Sequence, residues 1–204
     1  MSRGAFPGPI DDLGAEIIID DGTLARTDSP LPAPVGLQAK GGSSKTTGDL
    51  GEQVVNFARG KVGHRVGSGE CFDLAHQALH SAGAKSAADF GSVAKDADYV
   101  WGSSVNASDA RPGDIIQFRD YRYDRTIETS TREDSDFQER PHHTAIVERV
   151  DGGGAITVLE QNAPDGSPGK RTQLFFSDVS TTSGGRKTTI KVQGTFLFYR
   201  PQPR

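Results

Sequence analysis

The stretch Gly67-Ser68-Gly69-Glu70-Cys71-Phe72-Asp73-Leu74 constrains this chain more than any other, because it holds the only cysteine. Two glycines just ahead of the cysteine allow a sharp, left-handed or close-approach turn. From Cys71 to Ala82 the apolar residues Phe72, Ala75, Ala78, Leu79 and Ala82 recur at helical spacing, and Gly83 stands where a C-terminal cap is expected. The pattern places Cys71 at a helix N-terminus. Uncapped N–H groups and the helix dipole there favour thiolate over thiol, and the thiolate is the nucleophile. A lone cysteine is also a common packing residue, so the downstream residues decide between the two.

At 204 residues the chain has room for one domain and a tail. Hydrophobic residues make up 34% and glycine accounts for 25 positions, low and high respectively for a fully packed chain, so a disordered segment is expected beside a loop-rich domain. A net charge of −4 gives no electrostatic case for nucleic acid or an anionic membrane as partner. One cysteine excludes an intrachain disulfide. No run of about 18 apolar residues exists, so no membrane span is expected. The N-terminus lacks a basic segment followed by an apolar one, which points to the cytoplasm or a non-classical export route.

Residues 1–47 read as a disordered Pro/Gly/Ser-rich tail, with Pro7, Pro9, Pro30, Pro32 and Pro34 and then Gly41-Gly42-Ser43-Ser44. Protein partners could engage this tail, and Ile17-Ile18-Ile19 is its one apolar run. Residues 48–204 read as the folded domain. Asp49 and Glu52 have capping-box spacing ahead of a helix carrying Val54, Val55, Phe57, Ala58 and Val62 to about Lys61. Ala87 to Ala97 reads as a short helix, and Arg111-Pro112-Gly113-Asp114 as a turn into the buried strand Ile115–Phe118. From Arg119 to Pro141 five arginines face seven acidic residues, which reads as a solvated long hairpin or loop, with a substrate-gripping flap as the sharper alternative. Strands follow at Thr144–Val150, Ala155–Glu160, Arg171–Phe176 and Thr188–Tyr199, the first two joined by Asp151-Gly152-Gly153-Gly154. Helices first and an antiparallel meander after make an α+β pattern, with helices packed on one side of a curled sheet.

A catalytic thiolate needs a base, and the base needs an orienter. His142-His143-Thr144-Ala145-Ile146-Val147 opens a strand, and alternation puts His143 with Ala145 and Val147, His142 with Thr144. Only one histidine can then face Cys71. The strand ending Leu159-Glu160-Gln161-Asn162 returns antiparallel beside it, so either Glu160 or Asn162, taken to share a strand face, can reach the His143 ring.

Cys71-Phe72-Asp73-Leu74, Pro112-Gly113-Asp114-Ile115-Ile116-Gln117-Phe118, His143-Thr144-Ala145-Ile146-Val147 and Glu160-Gln161-Asn162 together resemble CHAP-type members of the NlpC/P60 cysteine hydrolase superfamily. The Glu-x-Asn element, 160 − 143 = 17 residues after the histidine, is the most specific part. The resemblance implies a papain-like α+β fold. It implies a thiol amidase or endopeptidase acting on peptidoglycan stem peptides without cofactor or metal, with Cys71 as nucleophile, His143 as base, and Glu160 and Asn162 as its orienters. Glu160 is expected to hold the histidine, with Asn162 just beyond it. A looser similarity, through Gly69-Glu70-Cys71, Tyr99-Val100-Trp101-Gly102 and Pro112–Phe118, is to a CHAP-like domain at the end of some fungal cortical-actin SH3 proteins.

The chain departs from the CHAP pattern at Glu70, where family members often carry a glutamine that donates to the oxyanion. An ionised carboxylate donates nothing and repels negative charge. Glu70 and the looser similarity together support a second reading, a binding or scaffold module of the same fold with weak or lost activity. His76 and His80 have a metal-pair spacing but no readable third ligand. Trp101 reads equally as core or as a stacking surface.

Overall fold

The computed structural model describes residues 49–94 and 96–204. The Pro/Gly/Ser-rich segment 1–47 and its Ile17–Ile19 run lie outside the described residues. Two helices, α1 (Asp49–Arg59) and α2 (Cys71–Ser81), precede the strands β1 (Ser103–Val105), β2 (Ile115–Glu128), β3 (Glu133–Gly152), β4 (Ala155–Glu160), β5 (Lys170–Phe175), β6 (Val179–Ser183) and β7 (Arg186–Arg200). The sheet runs β1-β7-β2-β3-β4-β5, with β6 on the outer part of β7 and every named pairing antiparallel. The α+β order is as the periodicity predicts. The segment after α2 is less regular than expected, with a single 3-10 turn, Ala87–Asp89, capped reciprocally by Ser86 and Asp89.

The sheet has an apolar core on each face. Ile115, Ile146 and Leu159 join Val54, Val55 and Ala58 of α1 and Leu74, Ala75, Ala78 and Leu79 of α2. The neighbouring residues Ile116, Ala145, Val147 and Val158 point the other way, into a cluster with Phe118, Tyr121, Leu174, Phe176 and Phe198. Alternation along a strand produces this two-sided burial. Full burial of one such side chain contributes about 1.5–3 kcal/mol. Trp101 belongs to the helix-side core and is fully buried, its indole N–H donating to Gln117 Oε1 at 3.1 Å. Core, rather than an exposed stacking surface, is therefore its place.

The charged segment after Phe118 is a long hairpin, one of the two forms its composition allowed. It forms the outer parts of β2 and β3, in register from Tyr121↔Arg140 to Glu128↔Glu133 and turning at residues 129–132. One irregularity interrupts the ribbon. Asp120 is left-handed at φ 51°, Pro141 opposite has no N–H, and the β2–β7 register shifts between Arg119 and Arg122. Gly194 of β7 (φ 90°) makes room for this, since a Cβ there would lie 2.1 Å from the Asp120 carbonyl oxygen. The shift rotates the strand faces, so that Phe118 and Tyr121, three residues apart, enter the same cluster.

Candidate active site

Cys71 is the first residue of α2, and Glu70 before it is the N-cap. The approach is held from two sides. Asp73 accepts from Ser68 N (2.7 Å) and Ser68 Oγ (2.6 Å), closing the glycine turn against the helix it leads into. Gly67 is left-handed (φ 59°), and a Cβ there would meet the Asp73 carboxyl at 2.6 Å. From below, fully buried Gln161 accepts from Val66 N (3.0 Å) and donates to Val66 O (3.0 Å) and Glu70 O (2.6 Å). The sequence reading missed Gln161. Its signal was a polar side chain between two candidate site residues, just past the end of a buried strand.

His143 lies on β3 opposite Phe118, on the face with Ala145 and Val147. It is almost fully buried. One ring nitrogen, Nε2, sits 3.1 Å from Glu160 Oε2, and the ring shares a cleft with the Cys71 thiol. Burial pushes the thiol up. His143, together with backbone N–H groups of Thr144 and Phe72, outweighs burial and holds Cys71 below its ordinary value. Burial likewise disfavours the imidazolium, but Cys71 and Glu160 raise His143 above its ordinary value. The two shifts run in the direction that favours a thiolate–imidazolium pair.

Glu160 ends β4 and is fully buried. Burial raises a carboxyl, but bonds from His143 and Arg140 hold this one far below the usual carboxylate range. Arg140 binds it twice, Nη2 to Oε1 at 2.6 Å and Nε to Oε2 at 2.8 Å, and is itself buried. Lys170 Nζ stands 3.8 Å from Oε1. Arg140 went unrecognised in sequence because strict alternation assigns it to the His142 face. The irregularity at Asp120 and Pro141 brings it round to the His143 side.

Asn162 is not where alternation put it. β4 stops at Glu160, and Asn162 adopts φ 62°, so it shares no strand face with Glu160. Its Nδ2 donates to Glu70 Oε2 at 3.0 Å and its Oδ1 accepts from Gly166 N at 2.6 Å. His143 is therefore oriented by Glu160. His142 lies at the rim of the same cleft, with Nε2 2.9 Å from Ala97 O. Cys71, His143, Asn162, Glu70, Tyr99 and His142 line one cleft of about 770 Å³. No residue of the segment 119–141 lines it. A second hollow of about 770 Å³, between α1 and the start of β2, carries neither cysteine nor histidine. His76 meets Ser86 Oγ at 3.1 Å and His80 meets Arg204 Nη1 at 3.0 Å. No group of three metal-ligating side chains occurs among the described residues.

A helix-start thiol, a strand-borne imidazole and a buried carboxylate behind it make this a cysteine-proteinase fold, built from two helices and an antiparallel sheet. Residues 44–180 match the family model of the AIM3/BBC1 cysteine proteinase-fold domain, and the chain belongs to that family. Altered inheritance of mitochondria protein 3 from Debaryomyces hansenii is 27% identical over 166 residues, covering 76% of this chain and 16% of that protein. The chain thus spans a small part of its relative's length. Family and relative together support a CHAP-like fold and the looser similarity to the fungal cortical-actin proteins. No solved structure matches.

Proposed function

We propose that this domain is a papain-like, CHAP-type member of the NlpC/P60 group whose Cys71 attacks an amide carbonyl. Cys71 and His143 on one cleft, with Glu160 bonded to the ring and the thiol held below its ordinary value by His143, carry this reading. The thiolate sulfur bonds the carbonyl carbon and the C=O π pair moves to oxygen. As C=O re-forms, the C–N bond breaks, and the amine leaves with the proton from His143. Water, deprotonated by His143, then cleaves the thioester. Glu160 keeps the ring oriented and favours its protonated form. The substrate class is a peptide amide; a peptidoglycan stem peptide is its narrowest form and has only the CHAP resemblance behind it.

The second reading is a binding or scaffold module that keeps the site with little or no turnover, residues 1–47 offering a further contact segment. Two observations favour it. The relative is much longer than this chain, and Glu70 stands where a donor glutamine is common. The pH profile of Cys71 alkylation by iodoacetamide, measured beside thioester formation with p-nitrophenyl acetate, separates the readings. An amidase site alkylates fast at neutral pH and acylates on Cys71. It loses the neutral component in His143→Ala and keeps it in His142→Ala. Alkylation like that of a free thiol, rising only near pH 8.5, sinks the amidase reading.

A further inference from the structure

The amide reading requires a donor for the oxyanion, and Glu70 cannot be one while ionised. We propose that Asn162 is that donor, with Glu70 acting as the bracket that aims it; this rests on the amidase reading above. The Asn162 carboxamide is fixed at both ends. Its oxygen accepts from Gly166 N at 2.6 Å, which sets the amide's sense and excludes a flipped assignment. Its nitrogen has two hydrogens, and Glu70 Oε2, at 3.0 Å, takes one. The other has no acceptor among the described residues. The left-handed backbone at φ 62° turns the side chain off the line of β4 into the cleft that Cys71 and His143 share.

Glu70 precedes the nucleophile directly, so a group bonded to its carboxylate is held beside the helix start. Glu70 makes no side-chain cap bond to α2, which leaves its carboxylate for Asn162. Negative charge on Glu70 draws the carboxamide nitrogen toward itself and so presents the second N–H as the donor. The residue that looked like a defect in the site thereby acquires a positioning role. Asn162 moves from the base's orienter to a catalytic residue that would touch the reacting oxygen.

The test uses two probes that differ in one respect. Iodoacetamide alkylates a thiolate by displacement at carbon and forms no oxyanion. A peptide aldehyde forms a hemithioacetal: the sulfur bonds the carbonyl carbon and the π pair moves to oxygen, where the donor acts. Asn162→Ala is expected to weaken aldehyde affinity by roughly 10²–10³-fold, the usual cost of removing one oxyanion donor, while the alkylation rate changes no more than about twofold. Glu70→Gln, which keeps an acceptor for Asn162 and adds an amide of its own, is expected to hold or improve aldehyde affinity. Equal losses with both probes in Asn162→Ala would make Asn162 a structural clip and overturn the inference. So would wild-type protein that alkylates fast at neutral pH yet binds no aldehyde, a result that leaves the thiolate standing. Slow, free-thiol-like alkylation in the wild type is the separate failure of the amidase reading.

Discussion

The β2–β3 ribbon carries the same ion-pair chemistry in two settings. At its outer end Arg125 pairs with Asp136, Arg132 with Asp134, and Lys187 of β7 with Glu128, all with substantial solvent exposure. At its inner end Arg140 pairs with Glu160, their side chains 7% and 0% exposed. Outside, water competes for each charge and long side chains lose rotamer freedom, so an exposed pair contributes about 0–1 kcal/mol. Inside, the desolvation cost is already incurred, and what counts is that no member of the set be left alone. The outer pairs keep a long ribbon soluble and in register. The inner pair fixes the carboxylate that holds His143.

Removing the shared member should have the largest effect. Glu160→Ala leaves Arg140 charged and uncompensated and frees the His143 ring. Urea unfolding should show a loss of about 3–5 kcal/mol, and the neutral-pH component of Cys71 alkylation should disappear. A loss below about 1 kcal/mol would erase the difference between the two ends of the ribbon. The pH dependence follows with a definite sign. Glu160 in the folded protein lies far below its ordinary value of 4.5, so its contribution is complete above about pH 4.5. It is lost as pH falls further, and Glu160→Gln should flatten that acid limb of the stability curve.

Arg140→Met should cost less than Glu160→Ala, because His143 and Lys170 stay with the carboxylate. Its signature is in the alkylation profile. Loss of a nearby positive charge disfavours the thiolate and favours the imidazolium, so both limbs should move to higher pH. Limbs that stay in place would reduce Arg140 to a packing residue. Gly194→Ala comes next, at about 1–3 kcal/mol. It combines a Cβ against the Asp120 carbonyl with a positive φ. Because the irregularity there turns Arg140 inward, the variant should also slow alkylation. The smallest effect belongs to the outer pairs. A double-mutant cycle over Arg125 and Asp136 should give a coupling of at most about 1 kcal/mol, and a larger value would contradict the exposed–buried contrast.

The two ends of the ribbon also differ in how readable they were. The helix-start cysteine, the choice of His143 over His142, and Glu160 across the hairpin all follow from short-range rules: helical spacing, strand alternation and antiparallel return. Those rules hold as long as the elements stay regular. They failed at Asn162, where β4 ends two residues earlier and the backbone turns left-handed. They failed again at Arg140, beyond the irregularity at Asp120. The segment 119–141 read as a hairpin or a loop without a choice between them, because its apolar residues are few. Regular strand pairing across β3, β2 and β7 supplies the order that a hydrophobic pattern did not.

By itself the sequence determined which chemistry is present and which elements carry it: one thiol at the start of a helix, one histidine facing it, one carboxylate on the next strand. Local spacing suffices for that, since each residue's direction depends on neighbours a few positions away. Only the tertiary structure decided which groups stand behind the first three. Arg140 reaches Glu160, Gln161 grips the Val66–Glu70 turn, and Asn162 meets Glu70, over separations of 20 to 95 residues. Each contact depends on a break in regularity, a strand irregularity at Asp120 or a strand end at Glu160. Such breaks arise where three strands and a helix compete for the same backbone groups, which no single segment records.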